Sequence, residues 1–281
     1  MKPKIKGRKA SLDNILFSVE QIPVKEAGNL LNCALSGQYH SVIYSPALNT
    51  ILNFTGSQYQ LTSNEELVMP IHEKLEDVFG TNGFITQCYN EDNRRFKIQF
   101  ILNERDLKLA DKDNLKTMIE IQNSYDGTIM QSIGISYWRQ VCTNGMMGWK
   151  RDTMIARRHS VKELQEQFGV IMQKLDDIDA QLRKFKTFTD RTVTRKELDG
   201  IMERIREQKN REAFPKRIID EVPAKIYQEA HALDREPNAW LVYNGFNYFL
   251  NHDERINAGM DTIEAIDRYV LSTIHKELQL N

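Results

Sequence analysis

The side chains with chemistry to offer in this 281-residue chain are three cysteines, six histidines and an uneven spread of charge. Nucleophilic catalysis requires a thiolate or alkoxide, a base in hydrogen-bond reach and a third group that orients the base. Cys142, in the sequence VCTNG, is the candidate thiol, and His40, His72, His159, His231, His252 and His275 are the candidate bases. No local spacing couples them. A lone cysteine at a strand end is expected to be buried and inert. Cys33, Cys88 and Cys142 form no CxxC pair, so reduced thiols are expected rather than a zinc site. His72 with Glu73 and Glu76 does not reach HExxH spacing. Asp176, Asp177 and Asp179 lack an EF-hand loop and read as a solvated helix face. Neither GxGxxG nor GxxxxGK[ST] occurs, so no metal and no cofactor is called for and the chain is not expected to be an enzyme.

Charge is the stronger signal. Residues 150–217 hold 18 Lys and Arg against 12 Asp and Glu, whereas residues 218–281 hold 5 against 11. A basic middle and an acidic end attract each other, or the basic part meets a polyanion. In the second case the acidic end would compete for the same groove. Arg94, Arg95 and Lys97 flank Phe96. Trp138 and Arg139 close another apolar run, and Trp149, Lys150, Arg151, Arg157 and Arg158 follow. Rings that stack on bases, interleaved with cations that hold phosphates, suit a single-stranded nucleic acid. The basic N-terminus MKPKIKGRKA lacks the apolar stretch of a signal peptide, and no apolar run approaches the length of a membrane span.

The elements that must position these residues are legible from periodicity. HSVIYS, TILNF and QYQL read as two or three short strands. Ser63 and Glu66 have capping-box spacing. A helix to about Phe79 follows, with Leu67, Ile71, Leu75 and Val78 as its apolar stripe. RFKIQFILN alternates, placing Phe96, Ile98, Phe100 and Leu102 on one face and Arg95, Lys97 and Gln99 on the other. TMIEIQN, the turn Tyr125-Asp126-Gly127 and IMQSIGISYW extend this into an antiparallel meander over about 84–139. Asn144 and Gly145 are expected to adopt positive φ at a tight corner. Beyond Gly148 the period changes. Val161, Leu164, Phe168, Ile171, Leu175, Ile178, Leu182 and Phe185 step by three and four, which predicts one long helix over 160–186. Its seam is expected to pack on other helices of the chain or across a homo-oligomer. Thr194 with Glu197 starts a further helix, Pro215 and Pro223 break the chain, and helices follow at about 223–233, 237–251 and 261–279. Asp261 and Glu264 have N-cap and N3 spacing for the last. The fold class is α+β: an N-terminal antiparallel meander with one or two helices over 1–149, then an all-helical region over 150–281.

Two motifs resemble a known family. Ser124, Asp126 and Gly127 form an S-x-D-G turn, followed by Arg139, Val141, Cys142, Asn144 and Gly145; later, Trp240, Tyr243 and Asn244 read Trp-x-x-Tyr-Asn. This combination resembles the phage/plasmid-like proteins of the domain of unknown function 932 family. The resemblance implies a mobile-element origin, with the host cytoplasm as location. The expectation is a phage factor that binds single-stranded nucleic acid, in annealing or DNA metabolism. The alternative is a phage factor that binds and blocks a host protein.

Overall fold

The computed structural model describes residues 8–32, 39–110, 113–139, 144–146, 155–157, 168–173, 175, 178–209, 213–256 and 258–280. Among the described residues, ten strands precede the helical half: β1 (Arg8–Ala10), β2 (Glu20–Pro23), β3 (Ser41–Ser45), β4 (Thr50–Thr55), β5 (Phe84–Glu91), β6 (Arg95–Ala110), β7 (Asp113–Ser124), β8 (Gln131–Arg139), β9 (Asn144–Met146) and β10 (Ile155–Arg157). Helices described in full are α1 (Val24–Leu30), α2 (Asn64–Phe79), α3 (Ile178–Asp190), α4 (Arg195–Glu207), α5 (Lys216–Ile219), α6 (Val222–Ala232), α7 (Ala239–His252) and α8 (Met260–Glu277), and residues 168–173 and 175 are helical too. The class is α+β, as expected.

β5 to β8 are an antiparallel meander at the centre of a seven-stranded sheet ordered β1-β5-β6-β7-β8-β10, with β9 also on β8. The alternation in β6 is realised: Phe96, Ile98, Phe100 and Leu102 are fully buried. In an antiparallel pair, residues directly opposite share a face. Ile98 lies opposite Ile121 and Phe100 opposite Ile119, and these in turn face Ile133 and Ile135 of β8. The S-x-D-G turn works as read. Gly127 has φ +71°, and the Asp126 side chain accepts from the Thr128 amide at 3.0 Å. The β5–β6 turn uses Asp92 and Asn93, both at positive φ, which the sequence reading passed over.

α2 begins on the expected capping box, Ser63 with Glu66, and ends at Gly80, φ +75°. Leu67, Val68, Ile71 and Leu75 are buried. Each such side chain contributes roughly 1.5–3 kcal/mol of transfer free energy. Val78 does not join the stripe; it is exposed, and the apolar face continues from Leu75 to Phe79, four residues on, which packs against the core. β2, β3 and β4 make a separate small sheet with α1 on Ile22, Val42 and Tyr44. QYQL is not a strand.

In the helical half, Thr194 and Glu197 form the second capping box, and α6, α7 and α8 fall within a few residues of expectation. The last helix starts on Gly259, however, with no side-chain cap, and Glu264 points to the sheet instead. Of the heptad seam, Phe168, Ile171, Leu175 and Phe185 are buried in this one chain's core; Val161 and Leu164 lie outside the described residues. The expected corner at Asn144 and Gly145 is corrected: both are extended in β9, opposite Arg139 and Trp138. Cys142 lies outside the described residues. One hydrophobic cluster runs from Ile15 through the meander to Leu278, so the strand-rich and helical regions share a core.

Candidate functional site

Arg139 ends β8 and is fully buried. A guanidinium cannot shed its charge, so burial demands acids around it. Asp113, at the start of β7, supplies both oxygens to the fork: Nε donates at 2.7 Å and Nη2 at 2.8 Å. Glu229 of α6 accepts from Nη1 at 2.6 Å. Trp240, in the first turn of α7, donates its indole N–H to Asp113 at 2.9 Å, and its ring lies 5.6 Å from the guanidinium carbon. Lys225 follows Glu229 by a helical turn in reverse, at 3.5 Å, with its ammonium 4.0 Å over the Tyr248 ring. The cluster is closed and internally satisfied. Arg139, expected to touch phosphate, instead joins the sheet to two helices.

Lys97 is corrected in the same way. Its position on the polar face of β6 suggested solvent, but the side chain is buried and its ammonium sits 3.0 Å from Glu264 of α8 and 4.0 Å from Glu120 of β7. Burial opposes the ammonium, yet Glu120 and Glu264 outweigh that and hold its pKa above the usual lysine value. Gln99 donates to Glu120 at 2.8 Å, and Gln122 bridges Glu120 and Glu264. Nearby, Asp267 accepts from the Tyr243 hydroxyl at 2.9 Å and from Asn247 at 2.8 Å. Arg95 is half-buried, with its Nε 2.8 Å from Asp126 of the S-x-D-G turn and Glu91 at 3.7 Å. Arg94, beside it in the turn, is exposed. Both faces of the sheet are therefore covered near Lys97, the second by a helix the sequence pattern could not bring there.

The remaining expected contacts divide by position. Trp138 and Arg157 are in β8 and β10, with Arg157 opposite Gln131. Trp149, Lys150, Arg151 and Arg158 lie outside the described residues. Cys88, the described thiol, is buried, and burial pushes its pKa up to about 11. His72 packs between Phe84 and Phe100, with Glu76 at 3.7 Å. Among the described residues no three His, Cys, Asp or Glu side chains come together to hold a metal ion. No described helix is long and apolar enough to cross a membrane.

The acidic end is spent largely on cations of the same chain. Besides Lys97–Glu264 and Arg139–Glu229, Arg204 pairs with Glu277 at 3.3 Å and Arg206 pairs with Asp220. Of these, Arg204–Glu277 and Arg206–Asp220 join the basic middle to the acidic end. α8 does not behave as a detachable mimic of a ligand, because Ile263, Ile266, Val270, Ile274 and Leu278 are all in the core.

Motif residues separated in sequence meet here: Asp113 joins Arg139 to Trp240 across 26 and 127 residues. The sequence profile described as domain of unknown function 932 matches residues 51–271. The chain belongs to that family. No curated protein and no solved structure matches it. In this member of the domain of unknown function 932 family, Trp240 and Tyr243 of Trp-x-x-Tyr-Asn anchor α7 to Asp113 and Asp267. Ser124 and Asp126 stabilise the β7–β8 turn, Ser124 by exchanging hydrogen bonds with the Ile129 backbone. Sequence reasoning missed Asp113, Glu229 and Glu264. An arginine or lysine in a buried strand signals that acids must be near, but not which ones.

Proposed function

We propose that this chain is a phage-encoded, non-enzymatic protein that binds single-stranded nucleic acid, in annealing or related DNA metabolism. The observation that supports this is the place of β10. It is the outermost strand of the seven-stranded sheet at that side. Arg157 lies in that edge strand, where a nucleic-acid backbone would have access, and in the sequence it belongs to the basic run that also holds Lys150, Arg151 and Arg158. Arg94 is a further exposed cation. Lys97 and Arg139 are removed from the contact set, since their charges are used inside the fold. With about three to five phosphate contacts, affinity would fall with salt along a log–log slope of roughly −2 to −3.5.

The test is fluorescence anisotropy of labelled single-stranded and duplex oligonucleotides at several salt concentrations. Binding to single strands with this slope is expected. Arg157→Glu with Arg158→Glu should weaken it for all sequences alike and flatten the slope, with the melting temperature unchanged. No binding by the intact protein at low salt would overturn the proposal, and a protein partner would then be the reading to pursue.

A further inference from the structure

We draw no further inference here: the strongest candidate, the exposed apolar patch of Tyr39 and Phe54 at the rim of the small sheet, with ring centroids 5.4 Å apart, carries nothing because nothing in the structure shows what covers it.

Discussion

Replacing Arg139 by methionine separates a structural cation from a ligand contact. The substitution keeps a long apolar stem and removes the guanidinium. Asp113 loses two of its donors and keeps Trp240, and Glu229 loses the guanidinium while Lys225 stays at 3.5 Å. Asp113 and Arg139 are both fully buried, so little water can replace the lost bonds. Breaking a buried ion pair from one side costs about 3–5 kcal/mol, because a desolvated charge is left behind. That is a large share of the roughly 5–15 kcal/mol by which domains are stable. Arg139→Lys keeps the charge but loses the two-pronged geometry, and it should recover only part of the loss. The combination of Arg139→Met with Asp113→Asn and Glu229→Gln should be less destabilised than Arg139→Met alone, since no carboxylate is then stranded. Urea denaturation followed by tryptophan fluorescence reads all of these directly, with Trp240 at the site of change. An Arg139→Met protein with an unchanged denaturation midpoint and lost nucleic-acid affinity would refute the structural role and restore Arg139 to the ligand surface.

Other expectations follow from single positions. A Cβ on Gly245 would meet Ile226 at 2.5 Å between α6 and α7, whereas one on Gly200 of α4 meets nothing within 4 Å. Gly245→Ala should therefore destabilise by about 1–3 kcal/mol through overpacking, and Gly200→Ala should stabilise by about 0.5–1 kcal/mol; thermal melts of both would show the opposite signs. Leu175→Asp places a charge in the core and should lower the melting temperature sharply without changing the sedimenting mass, because Leu175 is already covered within one chain. Hydrogen bonds from the Thr194 amide, the Arg191 guanidinium and the Thr194 hydroxyl hold the Glu197 pKa down at about 2, against an ordinary 4.5. A depressed carboxylate pKa contributes stability above the ordinary value, and that contribution disappears as pH falls from about 4.5 through about 2. Carbon-detected NMR titration of Glu197 in wild type and Thr194→Ala should show the midpoint rising in the variant; an unmoved midpoint would count against the capping box.

Periodicity and capping were enough to find the local elements. Ser63 with Glu66 and Thr194 with Glu197 start α2 and α4 because a cap is a contact between residues three apart. The alternation of Phe96, Ile98 and Phe100 marks β6 because side chains on a strand switch faces at every residue. Short edge strands such as β9 and β10 carry too little period to stand out, and Asn144 and Gly145 read as a corner for that reason. What the sequence alone could not decide was the fate of its charges. Lys97 on an alternating strand looks the same whether its face meets water or a helix, and Glu264 reaches it from 167 residues away in the chain only once α8 has docked. Arg139 likewise reads as a surface cation until folding brings Asp113 and Glu229 to it. Local patterns determine which residues share a face. Only tertiary packing determines whether that face is desolvated, and desolvation decides whether a charge serves the fold or remains available to a ligand.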